Sequence, residues 1–227
     1  MSTITEKKTW FMRPPKFKNR MLIMIVGIIL QGFGLSLLIR LNLGTDPCTM
    51  FTLGVESYLQ KFLQTIPALS DIPTFGICQL LCHSITFILV VIFDRSKIGF
   101  GTIGNMVCLG FIVDFFTMIW DVVIPTGFFD GWIGILFFIP VLAVFIGGAA
   151  AYMTADLGMS PYDGLPFILS EKLPKVPFKV VRIGWDGSYL ILAVLLGQPI
   201  TIVSVCIVLF LGPVISLVQK KLARFIL

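Results

Sequence analysis

The chain has 227 residues, of which 57% are hydrophobic and 13% charged, and its mean hydropathy is +0.99; soluble domains run at roughly 45–50% apolar and about 25% charged. The formal net charge is only +5, and the Lys and Arg residues sit in short clusters between apolar runs, which writes membrane topology and not a nucleic-acid surface. The sequence therefore reads as a lipid-bilayer protein with no nucleic-acid partner.

Taken in order, residues 1–20 form a polar tail carrying Lys7, Lys8, Arg13, Lys16, Lys18 and Arg20. The apolar run 21–39 is followed by Arg40-Leu41-Asn42 and by no small-residue cleavage site, so it is expected to be retained as the first span. Leu43-Gly44-Thr45-Asp46-Pro47 ends it. Residues 48–63 then read as a short helix containing Glu56, Gln60 and Lys61. That helix is too short and polar to cross about 30 Å of hydrocarbon, and so is re-entrant or interfacial. After a loop at 69–74 come a second span at 75–93, a polar turn at 94–97 and a third span at 98–120. The loop 121–131 has acids and aromatics but no Lys or Arg, and is expected outside the cell.

A fourth span, 132–155, ends at Leu157-Gly158-Met159-Ser160-Pro161, a second version of the first break. A short helix at 161–172, a basic loop at 173–179, a fifth span at 181–196, the turn Gly197-Gln198-Pro199 and a sixth span at 200–218 complete the pattern. Residues 221–227 form a basic end. All basic residues except Arg40 and Lys61 fall on the side of the amino-terminal tail, which predicts both termini in the cytoplasm.

The breaks have a physical logic. Gly44 and Gly158 can take the left-handed conformation that closes a helix, Asp46 and Ser160 are N-cap residues, and Pro47 and Pro161 suit a first helical position that needs no N–H. An offset of 114 residues superposes the two breaks and places Gly34 on Gly148. An offset of 102 places Leu109-Gly110-Phe111-Ile112 on Leu211-Gly212-Pro213-Val214. Each half reads span, break, short helix, span, turn, span. Three being odd, the second copy enters the membrane inverted. The expected fold is all-α: a polytopic membrane bundle of six transmembrane helices as a 3+3 inverted repeat (21–120 and 132–220), with two short helices.

A helix N-terminus exposes unpaired N–H groups and roughly half a positive charge. Two such ends brought together would make a polar place in apolar surroundings, as broken helices do in transporters. Thr45, Asp46, Cys48 and Thr49, with Ser160, Tyr162 and Asp163, are the candidate substrate-binding residues; the plainer alternative is a pair of ordinary capped turns. Intramembrane ionisable groups are the other handle. His83, Asp114 and Asp186 are candidates for a proton or charge relay. The alternatives are a backbone carbonyl bonded to His83, headgroups for Asp114, and an intrahelical pair of Asp186 with Arg182. The five cysteines read as apolar filler, with no metal site. No phosphate loop, metalloprotease helix or nucleophile elbow is present, so neither an enzyme nor a cofactor is expected.

Gly-Thr-Asp-Pro and Gly-Met-Ser-Pro at matching places, with Ile98-Gly99-Phe100-Gly101-Thr102-Ile103 leading into Leu109-Gly110-Phe111-Ile112-Val113-Asp114, resemble the YczE/YyaS/YitT family of bacterial integral membrane proteins over residues 21–220. The second-half stretch Pro199-Ile200-Thr201-Ile202-Val203-Ser204 lacks the glycines and departs from that pattern. The resemblance implies a multi-pass protein of the bacterial plasma membrane and supplies little chemistry. Two functions are expected to compete: a small secondary transporter or permease for a small polar or anionic solute, and a non-transporting accessory protein working through a protein partner. Besides the bilayer and a small solute, a second copy of the chain or another membrane protein is an allowed partner.

Overall fold

The computed structural model describes residues 11, 13–64, 66 and 74–226; residues 1–10 of the basic tail and most of the expected loop at 69–74 lie outside them. Eight helices follow in order: α1 Phe17–Leu41, α2 Pro47–Leu63, α3 Phe75–Phe93, α4 Phe100–Val123, α5 Trp132–Thr154, α6 Pro161–Lys172, α7 Phe178–Leu195 and α8 Ile202–Ile226. There is no strand among the described residues. Apolar surroundings offer the backbone no water, and a helix satisfies its N–H and C=O groups within one segment.

Five helices, α1, α3, α4, α5 and α8, are long and apolar enough to cross a membrane. They leave large apolar side chains on the outer surface, among them Leu22, Ile85, Ile92, Met118, Leu136 and Phe210, as contact with lipid requires. This is a multi-pass helical membrane protein. Helix α7 has 18 residues but carries Lys179, Arg182 and Asp186 and stands apart from the five. Arg20 and Arg40 mark the two ends of α1, separated by about 30 Å of helix, the thickness of the hydrocarbon. At one end Arg20 Nη1 donates to the Ala155 carbonyl at 3.0 Å; at the other, Arg40 pairs with Asp121 and donates to the Ile124 carbonyl.

Antiparallel α1 and α5 form the centre. A Cβ on Gly27 would lie 2.5 Å from the Tyr152 nitrogen, one on Gly34 2.7 Å from the Phe145 nitrogen, and one on Gly148 against the Gln31 backbone. Small residues let the two backbones touch, as is common where lipid supplies no hydrophobic force between helices. Helix α4 packs on α1 and α8 on α5, closing a core of Ile28, Leu35, Leu109, Val113, Phe145 and Leu211 with their neighbours. The remaining four helices interleave the halves of the chain: α2 packs on α3 and α7, and α6 on α7 and α3.

The breaks are built differently from the sequence expectation in one respect. The left-handed residue closing α1 is Asn42 (φ 51°) and not Gly44, and after α5 it is Asp156 (φ 51°) that takes this conformation ahead of Gly158. Asn and Asp are the non-glycine residues best suited to that region. Gly44 (φ 129°) and Gly158 (φ 111°) follow two residues later. A side chain at Gly44 would run into Thr201 and Ser204 at the start of α8, and one at Gly158 into Gly99 and Thr102 at the start of α4. Each break is thus seated on the last helix of the opposite half.

Candidate functional site

The chain re-enters helix at both breaks through the same local chemistry with the groups exchanged. Pro47 and Pro161 occupy the first helical turn. At α2 the cap is a carboxylate: Asp46 accepts from the Thr49 N–H at 3.1 Å and from the Thr49 hydroxyl at 2.7 Å. At α6 the cap is a hydroxyl: Ser160 accepts from the Asp163 N–H at 3.1 Å and donates to the Asp163 carboxylate at 2.7 Å. One carboxylate and one hydroxyl therefore stand at each N-terminus, where negative charge is favoured.

Both N-termini open on a cavity of about 50 Å³ inside the bundle. Asp46, Cys48 and Thr49 come to its wall from the first break, Ser160, Tyr162 and Asp163 from the second, and His83 from α3. Thr45 is buried but lies beside Gln198 and Thr201, away from this wall. Asp114 is also elsewhere: its carboxylate accepts from the Gly76 N–H at 3.0 Å, at the N-terminus of α3. Asp186, on α7, sits directly behind Tyr162 and Arg182.

The second-half wall is charged and densely bonded. Asp163 accepts from the Tyr152 hydroxyl at 2.7 Å and from Arg182 Nη1 at 3.0 Å, in addition to Ser160. Arg182 Nε donates to Asp186 at 3.0 Å, the other Asp186 oxygen accepts from the Tyr162 hydroxyl, and the guanidinium lies over the Tyr162 ring. Arg182 and Asp186 thus form the intrahelical pair that their spacing suggested, but the same guanidinium reaches across to α6. At the positions in the first half that match Tyr152, Asp163 and Arg182 by the two offsets stand Leu38, Thr49 and Leu80. That wall is neutral apart from Asp46, which pairs with no Lys or Arg among the described residues.

His83 does not bond to a backbone carbonyl. Its Nε2 lies 3.4 Å from the Cys48 thiol, and its Nδ1 has no partner among the described residues. In the same wall, Asn105 of α4 donates to Gln31 of α1 at 3.2 Å, and Gln79 of α3 keeps a buried Oε1 with no donor among the described residues. These three amides lie in the wall and were missed as site residues, as were Tyr152 and Arg182. Their signal was available: an amide in the middle of an apolar run is anomalous for the reason that a charge is. Among the described residues no group of three or more His, Cys, Asp or Glu could hold a metal ion, and all five cysteines are free, with Cys78 and Cys82 buried.

No curated protein and no solved structure matches the chain. A family model does, covering residues 18–220 and therefore every helix that builds the cavity, and on that match the chain belongs to DUF6198, a family of unknown function.

Proposed function

We propose that the protein is a small secondary transporter or permease of the bacterial plasma membrane, and that the cavity between the two helix breaks is its solute site. The observation that carries this reading is the convergence of polar groups from both breaks and from α1, α3, α4 and α7 on one small space within an apolar bundle. Buried polar groups cost free energy in such surroundings unless bonded, and a place that concentrates them is a functional candidate by default.

In this reading the architecture is a 3+3 inverted repeat, with α7 as the sixth span and α2 and α6 as the paired broken helices. Its support lies in matching details: Asn42 with Asp156, Gly44 with Gly158, the exchanged caps, and each break seated on the final helix of the other half. The charges of α7 are compatible with a span because Arg182 is bonded to both Asp163 and Asp186. The basic residues at the Arg20 end put both termini in the cytoplasm. The motif likeness to the YczE/YyaS/YitT family belongs to the same proposal, as an affinity between families.

The test is uptake by proteoliposomes over a panel of small solutes, alongside melts of the purified protein. Asp46→Asn should abolish uptake with little change in the unliganded melt, because Asn caps a helix about as well as Asp; Thr49→Val should abolish uptake and lower the melt through the lost hydroxyl bond to Asp46, and Lys61→Gln should do nothing. Should both site variants keep full activity in cells while substitutions between Lys7 and Arg20 remove it, the accessory-protein reading replaces this one.

A further inference from the structure

We infer that the cavity takes a small monovalent cation, of the size of ammonium or an alkali ion, with Asp46 as its carboxylate ligand. This rests on the cavity being a solute site and narrows what the solute can be.

Size comes first. A water needs roughly 10–15 Å³ of such space, so about 50 Å³ holds only a few water-sized particles. An amino acid or a sugar does not fit. A bare or partly hydrated ion does.

Charge comes second. Asp46 and Asp163 stand in the cavity wall and Asp186 behind it, against one guanidinium, Arg182, which is bonded to Asp163 and Asp186. The helix N-termini of α2 and α6 add roughly half a positive charge each. What remains is an excess of about one negative charge, which one monovalent cation neutralises and an anion would double. The excess belongs at Asp46, whose two oxygens accept only from Thr49 among the described residues and retain free lone pairs.

The uncharged wall supplies the third argument. Among the described residues the buried Gln79 Oε1 has no donor, and His83, in the same wall, has an unpartnered Nδ1. Gln31 accepts only one described bond. These unpartnered groups suit a small ligand that can donate hydrogen bonds or be coordinated by oxygen.

The experiment is a melt of the full-length protein in detergent at constant ionic strength, with ammonium, sodium, potassium or methylammonium chloride replacing choline chloride. At about 100-fold above half-saturation, a small cation should raise the melting temperature by about 5–10 °C. Asp46→Asn should remove that shift, and Asp46→Glu should keep part of it. The wild-type comparison stands even if a variant fails to fold. A cation shift undiminished by Asp46→Asn overturns the assignment of the ligand. A saturable shift with phosphate, acetate or a neutral solute, lost in Asp46→Asn, overturns the cation but leaves the solute site standing. Stabilisation on acidification alone, equal in choline, would give the charge to a proton on Asp46 and overturn the proposal. No shift with any solute removes both readings.

Discussion

Arg182 Nη1 stands 3.0 Å from the Asp163 carboxylate, and this contact joins the broken helix α6 to α7 at the cavity wall. Both partners are buried, so the pair has lost the water that would otherwise solvate it. It persists because Tyr152 and Ser160 also donate to Asp163, and Asp186 accepts from both Arg182 and Tyr162. Such a network is neither cheap nor a simple gain in stability: each ion forfeits several kcal/mol of hydration, and only good geometry recovers it.

Breaking the network from one side should therefore be costly. Arg182→Met is expected to destabilise the protein by about 3–5 kcal/mol, leaving two carboxylates uncompensated. Replacing Asp163 and Asp186 by Asn in the same chain should recover a large part of that loss. Thermal or denaturant melts in detergent check this, and additive losses in the triple variant would show that the guanidinium acts through packing and not through charge.

The glycines of the two breaks should be intolerant for a geometric reason. Gly44 and Gly158 have positive φ and abut α8 and α4, so Ala at either should cost about 1–3 kcal/mol. Gly147 faces open space, and Ala there should be neutral or stabilising, since Ala favours helix over Gly by about 1 kcal/mol. Pro47→Ala and Pro161→Ala should cost less than the break glycines. Equal melts for Gly44→Ala and Gly147→Ala would mean that the seat on α8 does not form.

Topology is checked by labelling. In a chain without its native cysteines, Thr126→Cys should react in intact cells with an impermeant thiol reagent, and Lys175→Cys should not. Both positions are exposed in the structure, so access is not limited by folding, and Lys175 lies in the basic loop between α6 and α7. The reverse pattern would invert the orientation.

Much of this architecture was written locally. The apolar runs, the basic clusters at one end of them, and the Asp46-Pro47 and Ser160-Pro161 helix starts depend on residues adjacent in the chain, and their chemistry can be read without knowing what packs against them. The helix stops were half legible. Glycine at φ above zero was foreseen, but Asn42 and Asp156 take the left-handed closing position, because an Asn or Asp tolerates it and frees the glycine for the place where a neighbouring helix leaves no room for a Cβ.

The sequence by itself determined that the chain lives in lipid, roughly where its apolar helices lie, and that Asp46 and Ser160 cap two of them, since hydropathy and capping act over one or two turns. Only the tertiary structure decided that Asp163 meets Tyr152 and Arg182, that His83 meets Cys48, and that Gln31 meets Asn105. Helical periodicity tells which residues of a helix share a face, but not which other helix that face will meet. That choice is made where Gly27, Gly34 and Gly148 let α1 and α5 close on each other, and the cavity is the space the other helices leave around that pair.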